Sequence, residues 1–232
     1  MIEHLAEVGS TNDWLLARAA GLADGQWVRA DVQTAGRGRR ARAWSSPAGN
    51  LHASVLVTAT ERPRQELSFV AALALHDALS ALFPPPRPLA IQIKWPNDVL
   101  LDGAKVAGIL LEAAGAALVI GFGVNLAHYP PDAGYRATSL AARGVTVTPA
   151  AFAARLAAAF AARRAQWVAG GFAGIRADWL ARAAFREGAI EARLPGETVV
   201  GVMAGLEADG ALALRLPDGS LRRIYAADIF GV

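Results

Sequence analysis

The sequence predicts an α/β (α+β) fold: a mixed β-sheet flanked by helices, followed by a small, separate β-domain. Three observations carry this reading. Up to about residue 184, apolar runs of strand length are interleaved with stretches of helical periodicity. Hydrophobic residues make up 54% of the 232 residues, enough for a sizeable core and too many for a disordered chain. After Phe185 the pattern changes to short alternating strands separated by Ala-Asp-Gly and Pro-Asp-Gly turns. We therefore divide the chain at residues 1–186 and 187–232. A unit of the second size is marginal alone, so it is expected to pack on the first.

The elements follow in order. Ser10 or Thr11 caps a helix that begins WLLARAA, with Asp13 in its first turn. Residues 26–32 and 50–57 read as strands. Residues 64–82 carry helical periodicity through Leu67, Val70, Ala71, Ala74, Leu75, Ala78 and Leu82. The prolines of 84–88 stop that helix and make a stiff connector. Residues 89–94 read as a strand, and 99–101 continue after Trp95-Pro96-Asn97-Asp98. Asp102-Gly103 marks a hairpin turn, with strands over 105–113 and 116–124. Their near-continuous apolar character predicts strands covered on both faces. Residues 128–143 read as a loop with a short helix near Ser139. Pro149 opens a long helix to about Gly170, and a shorter one spans 175–184.

Composition narrows the function classes. With no cysteine, disulfides, thiolate-held zinc and a cysteine nucleophile are excluded, and a reducing cytosol fits. Net charge is only +3 although the sequence pI is 9.8, weak grounds for a nucleic-acid partner. The first residues lack the apolar core of a signal peptide, and no window nears the ~18 apolar residues that span a bilayer. The expectation is a soluble, cytoplasmic protein with no membrane or nucleic-acid partner.

Four stretches carry chemistry. Residues 31–44 read DVQTAGRGRRARAW, with Gly36 and Gly38 among Arg37, Arg39, Arg40 and Arg42. Glycine lets backbone N–H groups approach a ligand, and arginine grips phosphate or carboxylate with paired hydrogen bonds. The run describes a cationic loop suited to a polyanion; taken alone it fits a solvated loop equally well. It is not a Walker A loop, since no G-x-x-x-x-G-K-[ST] occurs. Ser10-Thr11-Asn12 is first of all a helix cap. Lys94 leaves a strand end in Lys94-Trp95-Pro96-Asn97-Asp98. Gly121 and Gly123 alternate along a strand and bare one face of it, for a flat ligand or close backbone packing.

In this order and spacing the four are jointly specific. STN, QTAGRGRRAR with AWSSPAGNL, KWPNDVLLDGAKVAGILLE and GFGVNL, spanning residues 9–126, resemble the biotin protein ligase family. The resemblance implies a catalytic domain of the class II synthetase/biotin-ligase type and an SH3-like β-barrel at the C-terminus. It implies two reactions. Biotin and MgATP give biotinyl-5′-AMP and pyrophosphate; a lysine of a biotin carboxyl carrier domain, of acetyl-CoA carboxylase or a related carboxylase, then displaces AMP. It also implies roles. Lys94 holds the biotin carboxylate, and Arg37 and Arg40 are the foremost cations of a loop whose Arg39 and Arg42 also cover the phosphates. Ser10, Thr11, Gln33, Gly36, Arg37, Gly108, Gly121 and Gly123 join Lys94 around biotin. Trp44 and Asn125 meet adenine. Mg²⁺ accompanies ATP, and no protein metal site is expected.

The resemblance leaves the roles of Asp98 and Lys105 open and allows a homodimer. Ala41 stands where the family usually has glycine, which strains the loop if that backbone needs a positive φ. Only about nine residues precede Ser10, so no N-terminal helix-turn-helix is expected. Two other readings compete. A lipoate- or octanoate-handling relative shares the fold, but the cysteine and the glycine-rich motif those enzymes use are missing. An RNA-binding module would need aromatics among the arginines, and only Trp44 is close.

Overall fold

The computed structural model describes residues 1–58, 62–83, 90–186 and 188–231. The expected proline connector, 84–88, lies outside them. Among the described residues seven strands form the first sheet: β1 (Ile2–Val8), β2 (Trp27–Gln33), β3 (Leu51–Val57), β4 (Ile91–Lys94), β5 (Asp98–Leu101), β6 (Ala104–Ala114) and β7 (Ala117–Val124). Their spatial order is β1-β2-β3-β7-β6-β5-β4. β1 and β2 run parallel and every other pair is antiparallel, so the sheet is mixed as predicted.

β1 is the strand the sequence did not disclose. Only Ile2, Leu5 and Val8 of IEHLAEV are partly covered, a period of three set by its place at the sheet edge. The alternation that marks a half-buried strand is absent.

Side chains of the central strands sort by period two. Leu51, Ala53, Val55 and Val57 of β3, with Leu118, Ile120, Phe122 and Val124 of β7, enter the main core. Above that face lie α2 (Leu67–Ser80), α3 (Pro149–Gly170) and α4 (Phe172–Ala181). All of α2 but Ser68 and Asp77 is buried, so it is the inner helix, apolar apart from His76 and Ser80 near its end. Thr148 caps α3 through Oγ1, which accepts from Ala151 N at 3.2 Å, and Pro149 follows as predicted. The opposite face is covered only in part. There α1 (Thr11–Leu16) packs Leu15 on Val28, Leu56 and Val119. Beyond α1, Gly121 and Gly123 continue the row of Ala117 and Val119 with no side chains, which leaves room over the sheet.

The second sheet is antiparallel: β8 (Ala189–Leu194), β9 (Glu197–Leu206), β10 (Leu212–Arg215), β11 (Leu221–Ile224) and β12 (Asp228–Gly231), in the order β11-β10-β9-β8-β12. Among the described residues β11 and β12 do not pair, so the expected SH3-like barrel is a five-stranded sheet here. It is seated on the helix layer of the first sheet by a glycine. At Gly210, φ is +85° and a Cβ would lie 2.6 Å from Phe69 Cε2 of α2. The Gly210 carbonyl accepts from Trp95 Nε1 at 3.3 Å. The tryptophan of the KWPND stretch thus joins the two sheets.

Candidate active site

The half-covered face holds a cleft of about 470 Å³. Its floor is a cross-strand row set by register: Gly123 of β7, Gly108 of β6 and Asp98 of β5; Lys94 of β4 continues the row beyond the cleft. The two glycines are needed because a flat group lies on them. A Cβ at Gly123 would stand 2.5 Å from Trp44 Nε1 and Cε2, and one at Gly108 would stand 3.3 Å from Trp44 Cζ3. The flat body there is the protein's own indole. Its Nε1 is buried without a hydrogen-bond partner among the described residues. Gly121 is covered differently: a Cβ there would meet Asn12 Oδ1 at 2.4 Å.

One end of the cleft carries the neutral polar groups of Ser10, Thr11, Asn12 and Gln33, with the Asp13, Arg37 and Glu112 charges beside them; Asn12 Nδ2 donates to Glu112 Oε2 at 2.7 Å. Ser10 Oγ caps α1, accepting from Asp13 N at 3.4 Å. Gln33 Oε1 accepts from Thr11 N at 2.9 Å and Thr11 Oγ1 at 3.0 Å, and Gln33 Nε2 donates to Ser46 Oγ at 3.1 Å. Ser54 Oγ lies 2.7 Å from Thr11 Oγ1 and 2.6 Å from Asn12 Oδ1. Ser10, Thr11 and Asn12 are all buried. Helix capping therefore also serves the cleft: it delivers two hydroxyls and an amide to the β2 end. Gly36 sits behind this group, where a Cβ would meet Ser46 Oγ at 2.4 Å. Asn125 closes the far wall, its Nδ2 donating to Thr138 O at 3.0 Å.

The arginine loop arches over the cleft and its four cations have different partners. Arg37 is spent on carboxylates. Its Nη1 and Nη2 donate to Asp13 at 2.7 and 2.6 Å, and its Nε and Nη2 to Glu112 at 3.0 Å each. The hydrogen bonds to Asp13 lead the causes that raise its pKa, and the same contacts hold Asp13 below the usual carboxylate range. Arg40 and Arg42 pair with Asp228 of the C-terminal domain. Arg39 lines the cleft and forms no ion pair among the described residues; its nearest acceptors are Asn97 Oδ1 at 3.4 Å and Ala227 O at 3.5 Å. Burial pushes its pKa down.

Two consecutive residues of this loop, Arg40 (φ 56°) and Ala41 (φ 55°), are left-handed. The strain anticipated at Ala41 is therefore present. A Cβ in this region costs about 1–2 kcal/mol, while glycine would give the open loop back about 0.4–1 kcal/mol of freedom. Ala41→Gly should favour the closed turn by a net amount of up to about 1.6 kcal/mol. Slower hydrogen exchange at Gly38 N, which bonds Arg42 O at 2.8 Å, is the expected sign. Faster exchange there would count against the strain argument.

At the other end Asp98 sits between two ammonium groups. Lys105 Nζ lies 2.7 Å from Oδ1 and Lys94 Nζ 3.6 Å from Oδ2. Lys105 lines the cleft, with its Nζ 5.3 Å from the Trp44 ring centroid and 5.2 Å from that of Tyr135. Lys94 is outside the lining. It stands two strand spacings from Gly108, about 10 Å, and lies 5.4 Å from the Phe230 ring of the C-terminal domain. Burial lowers the Lys94 pKa, with Asp98 opposing and Lys105 adding to the effect.

Residues 6–125 match the Biotin/lipoate A/B protein ligase family, and 189–231 match the Biotin protein ligase C terminal domain. The chain is similar to the biotin–[acetyl-CoA-carboxylase] ligase of Paracoccus denitrificans, at 45% identity over 97% of this chain and 98% of the relative. The chain belongs to the biotin/lipoate A/B protein ligase family. A Mycobacterium tuberculosis ligase of the same description is 38% identical, covering 92% of this chain and 82% of its own. The fold is that of the Aquifex aeolicus biotin protein ligase solved with biotin and ATP: TM-score 0.88, 24% identity, 100% and 99% of the two chains.

Within this family fold, the cleft brings together Ser10, Thr11, Gln33, Arg37, Arg39, Arg42, Trp44, Gly108, Gly121, Gly123 and Asn125. Gly36, Arg40 and Lys94 stand outside its lining. Asp98 and Lys105, whose roles the resemblance left open, line it; Asn12, Asn97 and Asp228 line it and were not singled out as site residues, and Glu112 grips the loop from β6. Asn12 had a signal, as the third residue of STN. Glu112 had a weaker one: it lies an even number of residues from Gly108 on β6. Asp228 is 186 residues from Arg42 and had none.

Proposed function

We propose that this protein activates biotin as biotinyl-5′-AMP and transfers it to a lysine of a biotin carboxyl carrier domain. The observation that carries the reading is the polarity of a single cleft. A neutral hydrogen-bonding end at Ser10, Thr11 and Gln33 faces a cationic end at Arg39 and Lys105, over a glycine floor. Biotin has that polarity: a ureido ring with two N–H donors and one carbonyl at one end, a carboxylate at the other. A site built to pair buried polar groups discriminates strongly against analogues that lack them.

In the first step a carboxylate oxygen attacks the α-phosphorus of ATP and pyrophosphate leaves. Both reactants are anionic, so cations held in place beforehand lower the barrier most. Lys105, between Trp44 and Asp98, is placed to meet the carboxylate, and Arg39 to meet the phosphate. Lys94 then acts through Asp98, balancing its charge so that Lys105 is not wholly neutralised. Arg37, Arg40 and Arg42 hold the loop down, and Trp44 and Asn125 are the adenine contacts. Adenine stacking requires Trp44 to share or leave the Gly123 floor. Magnesium comes as part of the MgATP substrate. In the second step the carrier lysine attacks the acyl carbonyl and AMP leaves. Closure of the loop would keep water from that anhydride until the carrier arrives.

The reading also takes residues 1–186 as the catalytic unit and the acceptor as a domain of acetyl-CoA carboxylase or a related carboxylase. No helix among the described residues is long and apolar enough to cross a membrane. A cytoplasmic enzyme, as monomer or homodimer, is part of the proposal.

The test is biotin-dependent ATP–pyrophosphate exchange, with lipoate and octanoate as controls. Exchange with biotin alone is expected, followed by biotin transfer to an added carrier domain. Folded protein that exchanges with lipoate or octanoate instead would overturn the substrate assignment.

A further inference from the structure

Asp228 is built like a post. It starts β12, where its neighbours Ala227 and Ile229 are buried in the C-terminal domain, so its side chain must project the other way. That direction is the mouth of the cleft, which Asp228 lines. Arg42 Nη2 donates to Asp228 Oδ2, and Arg40 Nη1 lies 3.3 Å from the same oxygen. The Ala227 carbonyl, one residue earlier, is 3.5 Å from Arg39 Nη1. Three contacts of the loop, from Arg39, Arg40 and Arg42, thus fall on two adjacent residues, Ala227 and Asp228. The opposite end of the loop is fixed within the catalytic unit, by Arg37 on Asp13 and Glu112.

We infer that Asp228 is a catch: a carboxylate of the C-terminal domain that holds the arginine loop closed over the cleft and so positions Arg39. The C-terminal domain thereby shapes a site that it does not floor. The charge logic is specific. Arg40, Arg42 and Arg39 would repel one another at the cleft mouth, and Asp228 is the carboxylate that meets two of them. The inference deepens the proposed function, because a loop closed in this way presents Arg39 to an anion. It can be tested without any ligand.

The loop reports its own closure. Gly38 N to Arg42 O at 2.8 Å and Trp44 N to Gly36 O at 2.9 Å are hydrogen bonds that exist only when it is folded. Hydrogen exchange at Gly38 and Trp44 in the ligand-free full chain therefore measures opening. The side chain of Arg42 is 60% exposed and that of Asp228 27%, so the effect is that of a screened surface network. Asp228→Asn should speed exchange of these two amides by about two- to fivefold. Added salt at 1 M should do much the same to the wild type, and little more to Asp228→Asn. The paired reversal Arg42→Asp with Asp228→Arg should bring protection part of the way back, because Arg40 then faces a cation at position 228. Amides of β8 to β10 should keep their wild-type rates throughout.

Unchanged loop exchange in Asp228→Asn overturns the inference. So does faster exchange that spreads through β8 to β10 and is not restored by the reversed pair, which would mean a general loosening of the sheet. Because no substrate is present, a failed catch is distinguishable from a failed assignment of biotin as substrate.

Discussion

Lys105→Ala lowers kcat/KM for biotin-dependent pyrophosphate exchange by about 10²–10³, and more than Lys94→Ala does. The magnitude is that of a preorganised contact to charge developing in a transition state, about 2.7–4 kcal/mol. The ranking rests on position. Lys105 Nζ lines the cleft, fixed by Asp98 at 2.7 Å and by the faces of Trp44 and Tyr135. Lys94 lies on the same row but behind Asp98, with Phe230 over it. Its removal leaves Asp98 to Lys105 alone, which weakens Lys105 as a partner for carboxylate; about tenfold is expected. Lys94→Arg should retain more activity than Lys94→Ala, because any cation at that place balances Asp98. Steady-state exchange with both variants, with folding checked by thermal unfolding, decides it. Equal losses, or a larger one at Lys94, would return the carboxylate contact to Lys94.

That ranking was hidden in the sequence for a reason visible in β6. Strict alternation places Lys105 with Ala107 and Ile109, which are core residues, and so turns it away from Gly108, Leu110 and Glu112. A bulge intervenes. Leu100 pairs with Lys105 while Val99 pairs with Ala107, so Val106 and Ala107 are both buried and Lys105 joins the cleft face. A bulge re-aims the side chains on one side of it, and KVAGILLE carries no sign of where it falls. Lys94 had the opposite problem. Its strand-end position was legible, but the strand order that sets β4 apart from β6 was not.

Local chemistry was the readable part. The Ser10 cap, Pro149 at the start of α3, the Asp102-Gly103 turn and the glycine row of β7 could all be read from neighbours in sequence. The ownership of each arginine could not, because it is decided by Asp13, Glu112 and Asp228 in three separate elements. Nor could it be read that the flat body on Gly123 is Trp44.

Arg39→Ala should lower kcat/KM for the same exchange by about 10², the most of any arginine in the loop. Arginine keeps its charge at neutral pH, so a half-buried guanidinium with no carboxylate partner is costly until an anion reaches it. Arg39 is in that condition among the described residues, with only neutral oxygens at 3.4 and 3.5 Å. An α-phosphate that gains charge in the transition state answers it, and two parallel hydrogen bonds add direction. Arg39→Lys should recover part of the rate, since lysine supplies charge without the fork. Arg37 makes the contrast. All three of its nitrogens donate to Asp13 and Glu112, so it has little left for a ligand. Arg37→Ala should act through the loop, raising KM for biotin and MgATP and lowering kcat by less than about tenfold. Measuring kcat and KM separately for the two variants distinguishes the roles. If Arg37→Ala abolishes turnover at saturating substrate while Arg39→Ala only raises KM, the two assignments must be exchanged. The network around Arg37 would then be a resting arrangement that breaks when substrate binds.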